Sequence, residues 1–290
     1  IGARNPIQYR FDLENWVDYR TDTNPGELYI PVIPQAGRKG MYFRVLVPGK
    51  GYSDNIVGYR LLDVPTGKSL LSNPLANGDN TLPTLLPGGP ANLTVSTWDS
   101  DSVSWKASTF GDAWSDAGLV VAPGQAALFE NKSVDRVTLT FVGEVVQGSL
   151  STTVPSGESY HAATLPIAGG LATNFGFPTA NGLKVSLLDN ATGDWTTHTF
   201  SDGTWSPSEP SLAAAQGFRV TAAGALSWDR DISLNSQGTP KIVTQPVGAI
   251  RIAGQSITFS VEATGTPLEY QWRFNGLNIA GANAATLELA

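Results

Sequence analysis

Trp105-Lys106-Ala107-Ser108-Thr109-Phe110-Gly111-Asp112-Ala113-Trp114-Ser115 returns ninety residues later as Trp195-Thr196-Thr197-His198-Thr199-Phe200-Ser201-Asp202-Gly203-Thr204-Trp205-Ser206. The first Trp, the Thr-Phe pair and the Asp keep one shift, and a single inserted residue then carries Trp114-Ser115 onto Trp205-Ser206. The register extends outward. Val64-Pro65-Thr66-Gly67 matches Val154-Pro155-Ser156-Gly157, Pro87 matches Pro178, and Gln125 matches Gln216. Self-similarity at a fixed period is the mark of a repeated structural unit, and Trp is too rare for two aligned pairs to arise idly.

Each copy reads as a series of short strands. A V-P-x-G turn opens it, followed by a strand at 68–72 or 158–162. A looser stretch comes next, with a short helical turn predicted near 80–86 and 170–175. Then a hairpin is predicted from 93–98 with 103–110, and from 184–188 with 195–200. The connections Asp99-Ser100-Asp101 and Asp189-Asn190-Ala191-Thr192-Gly193 carry turn chemistry. Each copy ends on two strands, 126–130 with 136–142 and 217–221 with 225–229. Strands this closely spaced predict a sandwich or barrel.

The flanks also read as β. Before the copies, Leu28–Ile33 and Met41–Val47 are strand-like segments joined by a Gly-rich loop. Asn235–Pro240 reads as a linker. The predicted layout is an N-terminal β segment at 1–62, two tandem homologous β-sandwich or barrel-like repeats at 63–150 and 151–235, and a last domain at 241–290. The fold class is all-β.

In that last domain, Ile242-Val243-Thr244-Gln245-Pro246, Ala253–Val261, Leu268–Gly276 with Trp272, and Ala285–Leu289 occur in order. The segment resembles a bacterial immunoglobulin-like domain, with these stretches as strands A, B, C and E. The resemblance implies that Trp272 packs between two sheets and that strands F and G are absent, because such domains run to about 100 residues and seven strands. The repeats resemble modules of large secreted bacterial surface proteins, which implies no enzymatic activity.

Composition agrees with short strands and turns. Of 290 residues, 41% are hydrophobic, 15% are charged, 31 are Gly and 19 are Pro. The charged fraction lies well below the roughly 25% of an average soluble domain, and Gly and Pro disfavour long helices. Net charge is −7 with a pI near 4.8 and no basic run, which argues against nucleic acid as partner. No stretch of about 18 apolar residues occurs, so no helical membrane span is expected. Cys is absent, so disulfides, thiolate metal sites and Cys nucleophiles are excluded. The chain starts at Ile1, which fits either a removed signal peptide or a trimmed sequence. The expected location is extracellular or cell-surface.

The candidate sites concern assembly rather than catalysis. Ile7, Tyr9, Phe11 and Leu13 alternate with polar residues, the pattern of a strand with one buried face. An immunoglobulin-like domain lacking F and G would expose an edge and a core around Phe259, Val261, Tyr270, Trp272 and Leu287. One expectation is strand donation, in which Ile7–Leu13 of one subunit completes that core in the next and builds a filament. The alternatives are pairing of the N-terminal strand within its own domain, and a C-terminal domain merely cut short.

Catalytic signals are sparse. The two His, His161 and His198, have Leu71 and Ser108 as repeat counterparts, so the scaffold does not require them. No G-x-S-x-G or H-E-x-x-H motif is present. Asp112 and Asp202 are the best-placed carboxylates, against a reading in which each serves the turn before a core Trp. Asp99-Ser100-Asp101 and Asp229-Arg230-Asp231 resemble fragments of calcium loops without the full ligand set. Exposed Trp could stack on sugars, so Trp98, Trp105, Trp114, Trp195 and Trp205 could form a carbohydrate platform, and Trp114 and Trp205 are the candidate carbohydrate contacts. Trp105 and Trp195 read as packing. Sequons occur at Asn92, Asn131 and Asn190, with Asn190 expected in an accessible turn.

The expected function is a non-enzymatic structural subunit of a secreted or cell-surface bacterial assembly, with a filament as one form. The alternative is a carbohydrate-binding or adhesive region of a larger surface protein. No cofactor or metal is expected, and the expected partners are further copies of the chain, with a glycan as an additional possibility.

Overall fold

The V-P-x-G motifs prove to be corners between layers. Gly67 and Gly157 have φ of +95° and +87°, and neither would meet any atom within 4 Å if given a Cβ. Backbone conformation alone selects glycine there. The preceding Val64 and Val154 are fully buried, so each corner turns the chain over an apolar anchor.

A computed structural model describes residues 5–10, 17–22, 39–47, 51–53, 55–234, 241–248, 256–264, 270–274 and 277–289. Among these the chain is nearly all-β, with twenty-five strands in antiparallel pairs and one short helix. Two compact units form: residues 1–45 with 54–232, and residues 46–53 with 233–290.

In the larger unit, β1 (Asn5–Arg10), β2 (Val17–Asp22) and β3 (Gly40–Val47) come first; Leu46 and Val47 at the end of β3, with their partner strand β4 (Gly51–Tyr52), belong to the smaller unit. β5 (Val57–Val64), β6 (Gly67–Ser72), α1 (Leu82–Leu85), β7 (Leu93–Asp99), β8 (Ser104–Thr109), β9 (Ala126–Asn131) and β10 (Val137–Glu144) make a first module. One sheet runs β6-β9-β7-β8, and β5 pairs with β10 along its whole length, from Val64↔Val137 to Val57↔Glu144. Inward residues of both layers, including Leu62, Val64, Leu71, Leu93, Val95, Phe129, Leu139 and Phe141, share one core. Phe129 meets Phe141 edge-on at 6.5 Å.

A second module follows the same path. It comprises β11 (Gly148–Val154), β12 (Gly157–Ala162), β13 (Gly169–Gly170), β14 (Leu183–Leu188), β15 (Trp195–Ser201), β16 (Thr204–Ser206), β17 (Ser211–Leu212), β18 (Gly217–Ala222) and β19 (Leu226–Ile232). Its main sheet runs β12-β18-β14-β15-β16, and β11 pairs with β19. The core holds Val154, Leu183, Val185, Phe218, Val220 and Trp228. Trp228 is fully buried, stacks edge-on against Phe177 at 4.9 Å, and donates its indole N–H to the Phe175 carbonyl at 2.8 Å.

Two sequence expectations shift. β5 and β11 precede the V-P-x-G corners yet pair with the last strand of their module, so each module starts before its motif, near 57 and 148 rather than at 63 and 151. A strand whose partner lies about eighty residues downstream gives no local sign of that pairing. The segment 1–62 is also not separate, since the sheet runs on as β10-β5-β3-β1-β2. Within it, β1 is hydrogen-bonded on both edges: Ile7 opposes Arg20 of β2 and Val45 of β3, and Tyr9 opposes Val17 and Phe43. Donation of Ile7 and Tyr9 to another subunit would require β1 to leave both neighbours; Phe11 and Leu13 lie outside the described residues.

In the smaller unit, β20 (Lys241–Thr244) pairs with β22 (Glu262–Thr264), β21 (Ile257–Ser260) with β25 (Thr286–Leu289), and β23 (Arg273–Phe274) with β24 (Leu277–Asn278). Phe259 opposes Leu287, and its ring lies 6.3 Å from Trp272. None of the described residues of 241–290 is fully buried, and Phe259, Val261, Tyr270, Trp272 and Leu287 are all half-exposed.

Trp228→Ala should lower unfolding free energy by about 3–5 kcal/mol, since it empties a core and orphans the Phe175 carbonyl. Denaturant titration of the variant measures this directly.

Candidate functional site: a groove between the two modules

Strand alternation sends odd and even residues to opposite faces. Phe110 and Trp114 belong to the first core, so Trp105, an odd number of residues from Phe110, faces the other way. It pairs across the hairpin with Trp98. The same parity separates Trp195 from Phe200.

The outward faces of the two sheets meet. Leu70, Ala126, Ala162 and Leu188 are buried together, with Trp105, Leu128 and Tyr160 packed against them. The backbone contacts obey the register found in the sequence. Ser72 N–H donates to the Ala215 carbonyl at 3.0 Å, and its counterpart Ala162 donates to the carbonyl of Gly124, the counterpart of Ala215, at 2.9 Å. Leu71 bridges Gln216, while His161 bridges Gln125. Equivalent groups therefore contact reciprocally, as across an isologous interface. The matched pair Ala126 and Gly217 face each other: a Cβ at Gly217 would lie 2.7 Å from that of Ala126 and 2.9 Å from Leu70.

Where this contact opens to solvent it leaves a groove of about 440 Å³. Leu70, Leu128 and Leu188 contribute apolar wall; Trp105, Tyr160 and Trp195 supply aromatic rings, and Lys68 and Arg219 supply positive charge. Trp105 lies 4.7 Å from Tyr160 and 5.4 Å from Trp98, and Trp98 donates its indole N–H to the Glu158 carbonyl across the modules. Tyr160 donates its hydroxyl to Glu158 at 2.9 Å, and burial together with that carboxylate pushes its pKa up to about 12. The Arg219 guanidinium stacks over Trp195 at 4.5 Å, and its Nη1 is 3.9 Å from Glu158. Its Nε is buried with no hydrogen-bond partner. Trp195 keeps 38% of its surface exposed.

The tryptophans divide between the module cores and the groove. Trp114 is 7% exposed, donates to the Leu86 carbonyl and sits in the first core, so it presents no face to a sugar. Trp205 is half-buried against Phe200. Phe110–Trp114 and Phe200–Trp205 share one geometry, 5.3 Å and 68°. Trp105 packs as expected, against Leu70, Ala126, Ala162 and Leu188, and with Trp195 it also lines the groove, on the face set by the odd spacing to Phe110 and Phe200.

The remaining candidates serve the scaffold. His161 is buried, bonded to Ser159 at 2.9 Å, and desolvation followed by the nearby Arg230 charge lowers its pKa to about 4. His198 donates through Nδ1 to the Ser208 carbonyl at 2.7 Å. Asp112 and Asp202 are exposed turn residues. Asp99 accepts from the Asp101 and Ser102 amides and pairs with Lys106, which draws its pKa down to about 2. Asp189, its counterpart, accepts from Ala191 and Thr192. Asp229 accepts from Ser151 and Ser227. Among the described residues no three His, Asp or Glu converge as a metal site, and no helix is long and apolar enough to cross a membrane.

Two sequons are closed by the fold. Asn131 is 1% exposed and its amide donates to the Val64 and Asp135 carbonyls. Asn190, expected to be accessible, is half-buried and accepts the Leu70 amide of the other module at 3.1 Å. No protein-family profile matches the chain, and neither curated proteins nor solved structures show a similar one.

Gly217→Val should destabilise the protein by about 1–3 kcal/mol through overpacking at the module contact, read as a lower thermal midpoint. Acid should loosen the same contact. His161 stays neutral in the fold and protonates in the unfolded chain, so stability should fall as pH drops from about 6.5 toward 4, by on the order of 3 kcal/mol. His161→Leu, the residue at the matching position 71, should flatten that part of the stability profile.

Proposed function

We propose that the chain is a non-enzymatic structural component of a secreted or cell-surface bacterial assembly. Its centre is a pair of homologous β-sandwich modules joined into one body, followed by an immunoglobulin-like domain. The reciprocal contact between the modules carries this reading. Ser72 to Ala215 and Ala162 to Gly124 are equivalent bonds between equivalent positions, which supports descent of both modules from one unit. It also supports a mechanical role, since the contact spends an otherwise free sheet face on rigidity. Pairing of β21 with β25, and of β20 with β22, supports the immunoglobulin-like reading of 241–290, as strands B with E and A with B. Self-association through that domain is supported by its half-exposed apolar residues.

A second reading, an adhesive or carbohydrate-binding region, is favoured by the aromatic groove. Electron microscopy of native material, with protease treatment of intact cells, tests the first. Ordered surface structures and digestion from outside are the expected result. Recovery as a protease-protected cytosolic monomer would overturn it.

A further inference from the structure

We propose that the groove between the modules binds an acidic sugar, a uronate residue of an anionic polysaccharide, a role beyond the structural one above. Three observations converge there.

The first is shape. A space of about 440 Å³ falls within the roughly 300–1,000 Å³ of small-ligand sites. Gly193, in the β14–β15 connection with φ of +81°, has nothing within 4 Å of a would-be Cβ, so no side chain blocks that wall.

The second is aromatic character. Trp105, Tyr160 and Trp195 line one space, coming from both modules. The C–H face of a pyranose is weakly positive and matches the negative face of an indole ring. One face of Trp195 is covered by Arg219, so a sugar would lie on the other. The covering cation fixes the ring and leaves a platform.

The third is charge. The chain as a whole is acidic, at −7, yet the groove presents Lys68 and Arg219. Among the described residues Lys68 is exposed and has no carboxylate in ion-pair range, and Arg219 is only 3.9 Å from Glu158 with its Nε unsatisfied. Arg219 is held by Glu158 and by the Ser186 hydroxyl at 3.4 Å, so a ligand carboxylate would pair with the exposed Lys68 and gain charge-assisted hydrogen bonds there. A neutral sugar would leave that charge unmatched. Nucleic acid fits poorly, since two cations cannot track a phosphate backbone.

The test is calorimetry and tryptophan fluorescence on the full chain with a galacturonate tetramer, a neutral galactose tetramer of the same linkage, and a tetraglutamate peptide. The uronate should bind and shift the fluorescence, the neutral tetramer at least tenfold more weakly. Lys68→Gln, on an edge strand away from both cores, should weaken uronate binding about fivefold without moving the unfolding midpoint. Trp195→Ala should weaken it more than tenfold. Absence of uronate binding, equal binding of the neutral tetramer, equal binding of the peptide, or affinity unchanged in both variants would each overturn the proposal.

Discussion

The closeness with which two sheets can approach fixes the organisation of the larger unit. Each main sheet gives its inner face to its own core and part of its outer face to the other module. Sheets pack at a distance set by the side chains between them. Here those side chains are small at the centre, Ala126 opposite Gly217, and large toward the rim, where Trp98, Trp105 and Tyr160 gather. The small residues let the backbones reach one another, so Ser72 and Ala162 can each donate across the junction. The large residues pack on one another at the rim, and Trp105 and Tyr160 also line the groove there.

An isologous contact is complete once made. The modules satisfy each other across this contact. β1 is an interior strand, with both edges taken. In the smaller unit, Phe259, Val261, Tyr270, Trp272 and Leu287 remain half-exposed.

Much of the fold was legible in the sequence. The hairpin strands, the last strands and the helical turn near Leu82 lie where period and turn chemistry put them. What could not be read was the pairing of β5 and β11 with strands far downstream, because a strand's own pattern shows which face is buried and not which partner buries it. The same limit applied to the site. Trp114 and Trp205 could be read either as core residues after a turn or as sugar contacts, and their rings fold back onto Phe110 and Phe200. Trp105 and Trp195 read as packing. They recur on the outward face, and only the odd count to the neighbouring Phe distinguishes that face from the inner one.

The meeting of Ala126 with Gly217 has a consequence for how alike the two copies can be. These positions correspond in the two copies, yet a second methyl group there would have no room. A change that made the two positions alike would install Ala at both or Gly at both. One outcome crowds the junction and the other opens a void in it. Inequality at this pair is thus a condition of the fit between the modules.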